Sequence, residues 1–113
     1  MRTANELSQA DRAILEDLRA RIQREFPDWP VRMTLFGSRA RGDADPDSDM
    51  DVLVEIDIPH ISFADKQRLR RLAGEVSLEA NTVLSLLIVD QSVREARGDF
   101  SVFRTIREEG IPV

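Results

Sequence analysis

The sequence predicts an α/β domain, a small sheet flanked by helices. Three observations carry this. Apolar residues recur at helical spacing in two long stretches, Ile14, Leu15, Leu18, Ile22 and Phe26, then Phe63, Leu69, Leu72, Ala73 and Val76. Three shorter runs, Val31 to Phe36, Asp51 to Ile58 and Thr82 to Val89, have strand character. Helical and strand segments interleave along the chain, as they do when helices cover a sheet.

Each element has its own local reason. Ser8 can cap the first helix, with Asp11 three residues on as a short form of the capping box, and Pro27 stops it. FPDWP is a loop from which Trp29 is expected to fold back onto the core. Gly37-Ser38 breaks the first strand, and SRAR can open a short helix. Gly42 to Ser48, with Pro46, is a loop. Val52, Val54 and Ile56 then alternate with Leu53, Glu55 and Asp57 until Pro59. Ser62 caps the next helix, with Asp65 at its third position. TVLSLLIV is a short branched apolar run that reads as a buried strand, residues 91–99 as a polar connection, and Phe100 to Glu109 as a last helix offering Phe100, Phe103 and Ile106 to the core.

With 113 residues, residues 1–113 are expected to form a single domain. Hydrophobic residues at 42% and charged residues at 33% place the chain among globular proteins rather than disordered ones. The absence of cysteine excludes disulfides, thiol chemistry and thiolate zinc. The lone His60 follows a proline and reads as an exposed loop residue. No apolar run approaches the roughly 18 residues of a membrane span, and the N-terminus has no apolar signal core, so a cytoplasmic location is expected. A formal charge of −5 argues against general nucleic-acid binding; the run Arg68, Arg70 and Arg71 reads first as a solvated helix face, second as a contact for an acidic partner or RNA.

The chemistry is concentrated in LFGSRARGDADPDSDMDVLV, Leu35 to Val54. A phosphate-binding P-loop would need Lys and then Ser or Thr after Gly42, where Asp43 and Ala44 stand. An EF-hand counted from Asp43 would need glycine and glutamate where Ser48 and Val54 stand. Asp43, Asp45 and Asp47 read as a solvated acidic loop. Asp49 and Asp51 do not. They stand two apart at a strand entrance, so their carboxylates share a face and repel unless a cation lies between them. Metal-dependent nucleotidyl transfer uses every part. Gly37 admits a close phosphate, Ser38 and the following amides stand at a helix start, and Arg39 or Arg41 adds charge. Asp49 and Asp51 hold Mg²⁺.

Gly37-Ser38, ten residues, then Asp49-Met50-Asp51 resembles the active-site motif of the DNA polymerase β-like nucleotidyltransferase superfamily. Within it, GSRARG and SDMDVLV are most similar to the minimal nucleotidyltransferases, which are about this short. Val31 to Val54 carries the likeness strongly, and the later strand and FRTIREEGIPV more loosely. The resemblance implies a small mixed sheet flanked by helices. It implies a nucleotide site at Gly37, Ser38, Arg39, Arg41 and Ser48, with two Mg²⁺ ions on Asp49 and Asp51 and ATP as substrate. It also implies a partner: some minimal members are antitoxins that adenylylate a HEPN-domain protein encoded next to them, in a homo- or hetero-oligomer. One departure accompanies it. Active members carry a third carboxylate near the start of the next strand, and the position assigned to it here is Ser85. Asp90 lies five strand residues away, roughly 16 Å, and Glu79 precedes the strand. Two functions follow, an active protein nucleotidyltransferase or a nucleotide-binding antitoxin that acts by contact alone; a nucleic-acid binder using the arginine run ranks last.

Overall fold

The computed structural model describes residues 7–41, 48–97 and 101–113. Helix α1 spans Gln9–Glu25, β1 Val31–Phe36, α2 Ser38–Arg41, β2 Met50–Ile56 and α3 Phe63–Ala80. There follow β3 Leu84–Val89, α4 Gln91–Arg97, α5 Ser101–Glu109 and β4 Ile111–Pro112. The predicted caps form: Ser8 Oγ accepts from the Asp11 N–H at 3.0 Å, and Ser62 Oγ accepts from the Asp65 N–H at 3.1 Å.

The strands make one sheet in the order β3-β2-β1-β4. β1 runs antiparallel to β2 and β4, whereas β2 and β3 are parallel. The parallel pair needs a crossover, and α3 supplies it. β2 is central, and the alternation of its side chains divides the core in two. Val52, Val54 and Ile56 face α1 and α3, meeting Leu15, Leu18, Ile22, Leu69 and Val76. Leu53 faces the other way, into a smaller cluster with Val89, Phe103 and Ile106. Asp49 and Asp51 share the parity of Leu53 and so stand on the α5 side of the sheet.

Some sequence expectations are corrected. Phe63 is not part of the apolar stripe. It is 76% exposed at the first position of α3. Residues 91–97 are a helix rather than a polar connection, because Asp90 caps it, its Oδ1 accepting from the Val93 N–H at 2.9 Å. β2 ends at Ile56 rather than Ile58, since the Asp57 N–H turns to the carbonyl of Pro30. β4, unseen in the sequence, exists through its pairing with Thr34 and Leu35. Trp29 does fold back, stacked on Phe26 with centroids 3.9 Å apart. His60 is exposed in its loop. Asp43, Asp45, Asp47 and Phe100 lie outside the described residues. No helix among the described residues is long and apolar enough to cross a membrane.

Candidate active site

The site is assembled where β1 leaves the sheet. Phe36 pairs with Asp51 across the β1–β2 ladder, so Gly37 is the first residue beyond the pair. Its φ of +78° turns the chain directly into α2. That turn brings its backbone against the Asp51 carboxylate: a Cβ on Gly37 would lie 2.5 Å from Asp51 Oδ2. Ser38 and the next residues form a single helical turn, whose first N–H groups have no partner inside the turn. A close-approach backbone, a helix start and a carboxylate thus meet at one point. Ala40 is buried and anchors the turn.

The carboxylates come from β2. Asp49, exposed, precedes its first residue, and Asp51, half-buried, follows on the same face. Burial first and the charge of Asp49 second push the Asp51 carboxyl above its usual range. A cation between the two would relieve this. Among the described residues no cluster of three or more His, Cys, Asp or Glu is arranged to hold a metal. A pair still fits Mg²⁺, which takes one or two carboxylates and completes its shell with water and substrate phosphate oxygens.

On the neighbouring strand, Asp51 stands in register with Ser85. Paired residues of adjacent strands share a face, so Ser85 is the β3 position beside the carboxylate. It is exposed on the edge strand of the sheet. The alternative carboxylates have other work. Glu79 Oε2 accepts from Arg21 at 2.6 Å, and Asp90 is buried as a cap, accepting from the Ile61 N–H at 2.7 Å and the Ser92 hydroxyl at 2.6 Å.

Arg39, expected at the phosphates, is a strut. Its Nε and Nη2 both donate to the Ser48 carbonyl, at 3.2 and 2.9 Å, and its Nη1 donates to Asp11 Oδ1 at 2.9 Å. Ser48 takes part here through its main chain. Arg41 is exposed at the end of α2, on a cleft of about 150 Å³ that Gly37 and Phe36 share with Thr105, Ile106 and Glu109 of α5. The sequence reading missed this wall; the signal was Thr105 and Glu109 flanking Ile106, which faces the sheet. The arginine run divides. Arg68 pairs with Glu25 and Asp65 and lies 4.6 Å over the Phe26 ring, while Arg70 reaches the Leu86 carbonyl at 3.5 Å.

This chain is similar to known proteins in sequence and in structure. The model of the nucleotidyltransferase domain family matches residues 15–111. A Methanocaldococcus jannaschii protein, named as a proposed protein adenylyltransferase, is 32% identical over 82 residues, covering 72% of this chain and 81% of its own length. The crystal structure of a proposed nucleotidyltransferase from Sulfolobus solfataricus superposes with a TM-score of 0.45 at 22% identity, covering 83% of this chain and 84% of that one.

Proposed function

The chain belongs to the nucleotidyltransferase domain family, and from that premise we propose that it transfers AMP from ATP to a hydroxyl of a partner protein. The observation that carries the proposal is the apposition of Gly37 and Asp51, which sets a phosphate-accepting turn against a carboxylate pair. Ser38 and the amides of α2 would hold the triphosphate, with Arg41 at its flank. Asp49 and Asp51 would hold Mg²⁺, which when bound neutralises phosphate charge and polarises the phosphoryl group. The acceptor oxygen attacks the α-phosphorus, the bond from that phosphorus to the bridging oxygen breaks, pyrophosphate leaves, and the hydroxyl proton passes to solvent or to a site carboxylate. A protein acceptor is favoured by the name of the M. jannaschii relative. The role we propose is that of an antitoxin acting on a HEPN-type partner, as the motif resemblance implies.

A second reading is favoured by Ser85. A hydroxyl in register with Asp51 is a weak ligand and no base at neutral pH, so the chain could hold nucleotide and neutralise its partner by contact alone. One experiment separates the two. ATP labelled at the α-phosphate is added with Mg²⁺ and purified protein to lysate of the source organism, with Asp49→Asn/Asp51→Asn as control. A labelled protein band with the wild type alone supports transfer. No band, from a protein that still binds Mg-ATP, supports the contact reading.

A further inference from the structure

The Arg39 guanidinium joins three parts of the chain that are distant in sequence. Two of its nitrogens close on the Ser48 carbonyl, and the third reaches Asp11 on the first turn of α1. The ion pair is largely withdrawn from water, the Arg39 and Asp11 side chains being 11% and 19% exposed. Asp11 is itself fixed, because its N–H is bound by the cap residue Ser8.

What Arg39 grips decides what it does. The Ser48 carbonyl lies in the same rigid peptide plane as the nitrogen and Cα of Asp49. Holding that oxygen with two N–H groups of one planar fork therefore fixes where Asp49 begins. On the other side of Asp49, the Met50 N–H donates to the Val83 carbonyl at 2.8 Å. Asp49 precedes the strand proper and is exposed, so these two attachments, rather than packing, set its place beside Asp51.

We propose that Arg39 is a positioning residue and that Asp11 acts through it, the two together setting how tightly the Asp49–Asp51 pair takes a divalent cation. This rests on the reading of that pair as a metal site. Lysine cannot replace the arginine: a single ammonium lacks the planar fork that reaches a carbonyl and a carboxylate at once.

The test is a titration of the full chain with Mn²⁺, a hard cation suited to carboxylates, read by the electron paramagnetic resonance of the free ion. Arg39→Lys is expected to lose about tenfold in affinity, the usual cost of removing support behind a metal ligand. Asp11→Asn is expected to lose less. The double variant is expected to be no weaker than Arg39→Lys, since Asp11 acts through the arginine. Arg68→Lys, which disturbs the ion pairs to Glu25 and Asp65, is the control for general loosening and should bind as the wild type does. Wild-type affinity in Arg39→Lys, or losses that add in the double variant, would overturn the proposal. If Arg39→Lys does not fold, unchanged affinity in Asp11→Asn does the same. A wild type that binds no Mn²⁺ removes the metal reading itself and the inference with it, a result distinct from wild-type binding that the variants leave untouched.

Discussion

Gly37 and Asp51 meet so closely that no side chain fits between them: a Cβ on the glycine would lie 2.5 Å from the aspartate Oδ2. The φ of +78° is a second, independent demand for glycine. Gly37→Ala should therefore fail twice. The backbone conformation costs on the order of 1–2 kcal/mol, and relief of the clash moves the carboxylate. We expect a melting temperature lower by several degrees and the proposed AMP transfer reduced by roughly a hundredfold, the scale of a 1 Å misplacement at a reacting centre. Thermal melts and the labelled-ATP assay check both. Full transfer by the alanine variant would show that the close approach has no part in the chemistry.

Asp51 should cost the metal-free protein stability. Its folded pKa is raised, by burial and then by Asp49. A carboxylate raised in this way stabilises the fold fully below its unfolded pKa, and that contribution is lost as pH rises through the folded value. Folding thus disfavours the ionised form of this carboxyl. Asp51→Asn is expected to raise the melting temperature at pH 7 in the presence of a chelator. Mg²⁺ should raise the melting temperature of the wild type but leave the variant where it is. A variant that melts below the wild type in chelator would remove this account.

Asp90 behaves in the opposite sense. Burial pushes its pKa up, but hydrogen bonds from the Ser92 hydroxyl and the N–H groups of Ile61 and Val93, with the charge of Lys66, outweigh it, and the net value is lowered. The stability it supplies is present above the ordinary carboxylate range and is lost as pH falls through its folded value. Oδ1 takes two donors and Oδ2 a third, while a carboxamide has only one acceptor oxygen. Asp90→Asn should cost on the order of 3 kcal/mol at pH 7, and the difference from wild type should shrink at acid pH, as the lowered folded pKa is passed. Urea melts at the two pH values measure it. A constant difference would mean that the carboxylate charge is not what matters.

The parts legible in the sequence are those whose signal is local. Ser8, Ser62 and the apolar spacing of α1 and α3 depend on neighbours within a turn, and they place both helices. The Gly-Ser and Asp-x-Asp spacing marks the candidate site because the proposed chemistry calls for those residue types in that order. What escaped depends on distant partners. β4 is two residues that become a strand only against β1. Phe63 follows the helical stripe, yet the fold leaves it exposed. Arg39 reads as a phosphate ligand because it follows Gly37-Ser38, and only the fold brings Asp11 and the Ser48 carbonyl to it.

Ser85 offers the most direct handle on the chemistry. It stands in register with Asp51 on the neighbouring strand, exposed and on the same face. An aspartate there would add a third carboxylate beside the pair without entering the core. In the metal-free protein it should destabilise, because a third negative charge joins two that already repel. With a divalent cation the sign reverses, since affinity for hard cations grows with the number of charged ligands. We expect Ser85→Asp to melt lower than wild type in chelator and to bind Mn²⁺ on the order of tenfold more tightly. If the wild type transfers AMP slowly, the variant should transfer it faster; if it only binds, the variant is the form in which transfer should first be seen. A variant with unchanged Mn²⁺ affinity would mean that the side chain at 85 does not reach the site of the cation, and that the serine is not what limits turnover.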